Sequence, residues 1–178
     1  TTSDEANRKI KKNIWELYNQ NDFLLKSDLL NEREKEQFQL VKPTMDDVTA
    51  QDAIHDLMKL LYRYYKKKVI ILLDEYDTPM QEAYIGGYWE ELVSFTRALF
   101  NSTFKTNSYL ERAVITGCLR VSRESIFTGL NNLKICSIMD EGYAEHFGFV
   151  EGEIQEMLTF YKKKENLEVI KKWYDGYC

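Results

Sequence analysis

The stretch Val69-Ile70-Ile71-Leu72-Leu73-Asp74-Glu75-Tyr76-Asp77 decides the reading of this chain. Five consecutive aliphatic residues, three of them β-branched, predict a strand buried on both faces, as inside a parallel sheet. Asp74 and Glu75 follow at once, so they sit at the carboxyl end of that strand, where open α/β sheets place their ligands. Successive strand residues point to opposite faces, so the two carboxylates diverge unless the strand ends there. A Walker B element is built this way: the Asp holds the water shell of a Mg²⁺ ion, and the Glu polarises the water that attacks a γ-phosphate. The alternative is a solvated loop that opens with two acids. The partner that such an element needs is absent from the sequence. All eight glycines lie at or after Gly86, so no G-x-x-x-x-G-K-[ST] loop precedes the strand, and none follows it.

Bulk composition bounds the rest. With 178 residues, 44% of them hydrophobic, the chain can bury one sizeable core and carry a small helical appendage. A net charge of −5 argues against a polybasic nucleic-acid surface spread over the whole chain. Tyr65-Lys66-Lys67-Lys68 and Tyr161-Lys162-Lys163-Lys164 are local basic clusters. They read as solvated lysines at helix ends, where they suit the helix dipole, with a nucleic-acid role as the alternative. Cys118, Cys136 and Cys178 form no C-x-x-C pair, and His55 and His146 lie far apart, which argues against a four-ligand structural zinc site. Reduced thiols place the protein in the cytoplasm. No apolar run approaches the ~18 residues of a membrane span. The sequence begins with Thr1 and ends with Cys178 directly after Tyr-Asp-Gly-Tyr, so both ends read as cut from a longer protein.

Outward from the central strand, periodicity predicts helices before it. Ile10, Ile14, Leu17 and Tyr18 mark a helix over 5–20, and Ser27 is the expected cap of a second containing Leu29, Leu30 and Phe38. Pro43 breaks the chain. Thr49-Ala-Gln-Asp52 resembles a capping box that opens a helix through Tyr65, with a core stripe of Ile54, Leu57, Met58, Leu61 and Tyr65. Beyond the strand at 69–74, Pro79 stops its continuation and Gly86-Gly87 marks a loop. An amphipathic helix over 88–100 leads to a second strand at 112–117, a short helix around 122–127, and a third strand at 134–138. The alternation predicts the α/β class with a parallel sheet of three strands. Two helices, 151–161 and 165–174, complete the chain. The expected division is an α/β core over 1–148 and a helical segment over 149–178.

Several further residues could carry chemistry. Asp77 adds a third carboxylate, as a group orienting Asp74 or its waters, or as a cap for the Thr78-Pro79 turn. Thr116, at the end of the second strand, has a hydroxyl suited to orienting a lytic water, or simply finishes the strand before Gly117. Arg120 and Arg123 follow within a turn or two, either to offset transition-state charge or to pair with Glu124 or Asp140 at the surface. Arg97 is a weaker candidate for the same role and otherwise a solvated helix charge. Cys118 has no histidine nearby in sequence, and His55 sits among Ile54, Leu57 and Met58 as a helix-side or core histidine.

The order of these pieces resembles the predicted AAA-ATPase-like family. The resemblance rests on Val69-Ile-Ile-Leu-Leu-Asp-Glu-Tyr-Asp-Thr-Pro-Met80, on Ile115-Thr-Gly-Cys-Leu-Arg-Val-Ser-Arg-Glu-Ser-Ile-Phe-Thr-Gly-Leu-Asn-Asn-Leu133, on Glu145-His-Phe-Gly-Phe149 and on Trp173-Tyr-Asp-Gly-Tyr177. It runs from about residue 50 to the end, while residues 1–49 match only loosely. It implies a P-loop ATPase of the AAA/STAND kind, often with an appended PD-(D/E)XK nuclease-like domain. By the resemblance, Asp74 and Glu75 are the Walker B pair, with Asp74 serving Mg²⁺ and Glu75 catalysis. Thr116 and Arg120 are in turn the catalytic sensor residues. Asp77 and Arg123 join Asp74 on the nucleotide side, and the helices from 151 onward begin a lid over ATP. The Walker A loop and the nuclease-like domain are not in this sequence, so a nucleic-acid partner follows only by analogy. The expectation is an ATP-dependent parent whose present segment turns over ATP negligibly. Rival readings are a docking scaffold with an aromatic-rich second half, and a metal-dependent nuclease cluster of Asp74, Glu75 and Asp77. Exposed sheet edges are expected to drive self-association.

Overall fold

Helix caps fix the N-terminal third of the computed structural model, which describes residues 2–118, 126–130, 132–137, 140–146 and 148–174. Helix α1 (Ser3–Gln20) opens with Thr2, which accepts the Glu5 N–H while the Glu5 carboxylate takes the Thr2 N–H in return. Helix α2 (Phe23–Lys26) is a single turn that Ser27 closes, its hydroxyl donating to the Leu24 carbonyl at 2.6 Å. Ser27 therefore ends a helix instead of starting one. Helix α3 (Glu32–Leu40) begins at Asn31, which shares a reciprocal box with Glu34. Helix α4 (Asp47–Tyr65) also starts earlier than expected. Asp46 accepts both the Thr49 N–H (2.9 Å) and its hydroxyl (2.7 Å), so Thr49 is the third residue of the helix.

The chain divides into two units, Thr1–Asn132 and Leu133–Cys178. In the first, α4 turns Ala50, Ala53, Leu57, Met58 and Leu60 to the core, where it packs against α1 and α6 (Trp89–Phe104). Tyr65 stays exposed at the helix end. Tyr18 crosses from α1 to donate its buried hydroxyl to the Ala53 carbonyl at 2.7 Å, while its ring packs on Phe38. Burial and the nearby Asp56 charge push the Tyr18 phenol above its ordinary pKa.

Strands β1 (Val69–Leu73) and β2 (Leu110–Ile115) pair in parallel, with Leu72 beside Val114 and Leu73 beside Ile115. Helices α5 (Thr78–Gly86) and α6 form the crossover between them. Helix α5 escaped the periodicity reading because Pro79 looked like a stop. At the first turn of a helix Pro costs nothing, since the N–H that it lacks would be unpaired there. Gly87 ends α5 in the left-handed conformation (φ 74°).

Two expectations about the sheet are corrected. Val69, Ile71 and Leu73 are half-buried, but Ile70 is 58% exposed and Leu72 78%. Helix α4 packs against β1, one face of the strand is half-buried, and its other face is open among the described residues. The described sheet also has two strands, not three: residues 134–137 form no strand, and Ile138 lies outside the described residues. The helix expected around 122–127 falls mostly on residues 119–125, outside the description. Ile126 and Phe127 are buried, with the Phe127 ring 5.3 Å from Tyr76 and 5.7 Å from Phe100.

The second unit contains a 3-10 turn (Glu141–His146) and helices α7 (Glu151–Phe160) and α8 (Leu167–Tyr174). Lys171 ties α8 to α7 through Glu151 at 2.9 Å, and this bond holds the Glu151 carboxyl below the usual carboxylate range. Phe160, Trp173 and Tyr174 are largely exposed.

Candidate functional site

Beyond the last sheet residues, the two strands stay joined. The Thr116 N–H donates to the Leu73 carbonyl (2.9 Å), and the Tyr76 N–H donates back to the Thr116 carbonyl (3.1 Å). Side chains alternate along each strand, so Asp74 and Thr116 lie in the row that starts with Ile70 and Leu72 on β1 and Val114 on β2. They end the open face. The Thr116 hydroxyl donates to Asp74 Oδ1, which also accepts the Glu75 N–H at 3.0 Å. Asp74 Oδ2 takes no hydrogen bond among the described residues.

Glu75 leaves the strand in the left-handed conformation (φ 52°), a rare state for a residue with a β-carbon. Its carbonyl accepts the Thr78 N–H at 3.1 Å, which closes the turn into α5. Its carboxylate is exposed and forms no hydrogen bond or ion pair among the described residues. The structure thus brings Asp74, Glu75 and Thr116 to one end of two adjacent parallel strands. This is the location where α/β sheets bind ligands.

Asp77 is buried at the start of the next helix. It is 1% exposed, its Oδ2 accepts from Gln81 Nε2 (2.9 Å), and its Oδ1 accepts from the Cys118 N–H (3.2 Å). It is the cap residue of α5 by position but makes no side-chain cap bond. No group of three or more His, Cys, Asp or Glu among the described residues is placed to hold a metal ion, so Asp74, Glu75 and Asp77 do not converge as a three-carboxylate centre. Arg120 and Arg123 lie outside the described residues. Arg97 is half-buried on α6. The Cys118 side chain is exposed. His55 rests against the Tyr109 ring and within 3.7 Å of Asp56.

Gly117 is the residue whose role the sequence left unread. A β-carbon there would stand 2.5 Å from Asp77 Oδ1 and 2.7 Å from Tyr76 Cε1, so only glycine lets β2 pass this close to the turn. The available signal was a lone glycine at a strand end, which marks a close backbone approach as well as a terminus.

The donor set fits part of a Mg²⁺–ATP site. Mg²⁺ takes hard oxygen ligands, keeps several waters and uses one or two carboxylates beside substrate phosphates, and the outward Asp74 Oδ2 matches that demand. The phosphate side does not fit on this sequence alone, because no glycine-rich loop with a lysine is present to cradle the phosphates.

The family described as Predicted AAA-ATPase matches residues 8–127, more than half of the chain. A curated relative from Azotobacter chroococcum mcd 1, named "Uncharacterized protein in vnfD 5'region", is 27% identical over 112 residues. That match takes in 62% of this chain and 22% of the relative, so the chain spans about a fifth of the relative's length. No solved structure matches.

Proposed function

Because the chain belongs to the predicted AAA-ATPase family, we propose that its two strand ends form the metal-and-water half of an ATP site. The observation that carries this reading is the Asp74–Thr116 hydrogen bond across adjacent parallel strands, with the Glu75 carboxylate uncommitted beside it. Asp74 Oδ2 would face the water shell of Mg²⁺, and Glu75 would accept the proton of an attacking water. Thr116 would hold the Asp74 carboxylate in one orientation. Mg²⁺, when bound, supplies charge stabilisation to the phosphates. Arg120 is proposed as a catalytic sensor residue from the resemblance, and Arg123 on the nucleotide side from its place a turn or two beyond Thr116. The phosphates themselves need a Walker A loop supplied from beyond residues 1–178.

The test compares Mg²⁺-dependent ATP affinity and turnover of this chain with those of a longer chain that includes such a loop. Turnover by the longer chain that is abolished by Glu75→Gln, with negligible binding by residues 1–178, is the expected result. Tight ATP binding by residues 1–178 alone sinks the division of labour. Unchanged function of the longer chain after Glu75→Gln sinks the enzymatic reading.

A second reading is favoured by a separate observation, the exposed row Ile70, Leu72 and Val114. There the sheet serves as a docking scaffold, and its open edges pair with a second copy. Light scattering at increasing concentration tests it, and a monomer throughout rules out self-association. No described helix is long and apolar enough to cross a membrane. With Cys118 and Cys136 both free, we place the protein in a reducing compartment, the cytoplasm.

A further inference from the structure

The turn after β1 contains a nearly fully buried carboxylate that the proposed chemistry does not use. Asp77 sits one turn beyond Asp74 and receives the Cys118 N–H from the segment leaving β2. A buried carboxylate is retained only where donors compensate its desolvation, and Asp77 gets them from Gln81 on its own helix and from the β2 exit. Between the two, Gly117 removes the side chain that would hold these segments apart.

Thr116 is the residue immediately before this junction. Its N–H is held by Leu73, its carbonyl by Tyr76, and the residue two positions on by Asp77. Among the described residues, three bonds on residues 116–118 define the backbone that aims the Thr116 hydroxyl at Asp74 Oδ1. Two of them belong to the strand pairing. The third depends on a side chain.

We propose that Asp77 is a positioning residue: by clamping the Cys118 N–H over Gly117, it fixes the β2 exit so that the Thr116 hydroxyl stays bonded to Asp74. This rests on the nucleotide-site reading only for its purpose; the clamp itself is a statement about residues 74–81 and 116–118. Asp77 then acts through Thr116 and does not touch metal or nucleotide.

The experiment is NMR on residues 1–178, with no nucleotide present. It measures hydrogen exchange of the Cys118 amide and the Thr116 χ1 rotamer from three-bond couplings, in the unsubstituted protein, Asp77→Ala and Asp77→Asn. The unsubstituted protein is expected to show a protected Cys118 amide and one Thr116 rotamer. Asp77→Ala is expected to speed Cys118 exchange on the order of tenfold and to average the Thr116 rotamer. Asp77→Asn keeps an acceptor oxygen and is expected to retain both. An averaged Thr116 rotamer in the unsubstituted protein overturns the proposal, as does a fixed rotamer in Asp77→Ala once Cys118 protection is lost. Should Asp77→Ala not fold, Asp77→Asn decides: both signals retained supports the clamp, and protection kept with Thr116 averaged refutes it. Failure here leaves ATP binding by the longer chain untouched, and failure of ATP binding leaves these signals unchanged.

Discussion

Thr116 donates its hydroxyl to Asp74 Oδ1 across the carboxyl ends of β2 and β1, forty-two positions apart in sequence. The bond is exposed, so water competes for both partners and its net contribution to folding is small. Its value lies in orientation: with Oδ1 engaged by Thr116 and by the Glu75 N–H, Oδ2 is the oxygen left to face solvent.

Thr116→Val removes the hydroxyl and keeps the β-branched shape. Urea unfolding is expected to change by no more than about 1 kcal/mol. In a longer chain carrying a Walker A loop, ATP turnover should fall while the fold is kept. Equal losses in stability and turnover would instead mark Thr116 as a packing residue.

Glu75→Gln in that longer chain removes the proposed proton acceptor and preserves size. Turnover is expected to drop by roughly 10²–10⁴-fold, the range for losing general-base assistance, with ATP affinity little changed. Single-turnover kinetics at saturating ATP would separate this outcome from a binding defect.

Gly117→Ala places a methyl group 2.5 Å from Asp77 Oδ1 and against the Tyr76 ring. The crowding is expected to cost about 1–3 kcal/mol. Gly87→Ala meets open space and strains only its left-handed φ, so the smaller loss expected there, in the same chemical denaturation series, separates packing from backbone preference.

Leu72→Thr probes the open face. A leucine buried on both sides of a parallel sheet costs ~2–5 kcal/mol when truncated. At 78% exposure, Leu72 should cost within about 0.5 kcal/mol. If β1 is covered by a second copy, the same change lowers the apparent mass in light scattering at high concentration.

The ion pair of Glu34 with Arg63 gives the first unit a pH signature. The Arg63 guanidinium donates to Glu34, and that hydrogen bond is the largest cause holding the carboxyl below the usual carboxylate range. A depressed pKa in the folded state contributes stability above the ordinary glutamate pKa, and loses it as pH falls through the folded value. Glu34→Gln should therefore be less stable than the unsubstituted protein at pH 7, by roughly 1 kcal/mol. The difference should vanish in strong acid, as urea midpoints across pH would record.

How far the sequence could be read follows the range of the forces involved. The helices of α1, α4, α6, α7 and α8, both strands, and the placing of Asp74, Glu75 and Thr116 at strand ends were legible from periodicity and from the order of the pieces. Those signals are local: an aliphatic run, a 3.6-residue stripe, a carboxylate pair after a strand. Caps were misplaced by a few positions, because Ser27, Asn31, Asp46 and Thr49 all qualify as caps and only the bonds actually formed choose among them. Helix α5 was hidden because Pro79 carries one signal for a stop and the same signal for a first turn.

Sequence by itself determined which residues arrive at the sheet's carboxyl edge, since alternation along a strand and the run that builds it are properties of neighbours in the chain. Tertiary structure alone decided which face of β1 is covered, that Asp77 turns inward to the Cys118 N–H, and that Gly117 makes room for it. The physical reason is that burial, close approach and hydrogen bonds between segments forty residues apart depend on what packs opposite, and no local pattern encodes the opposite side.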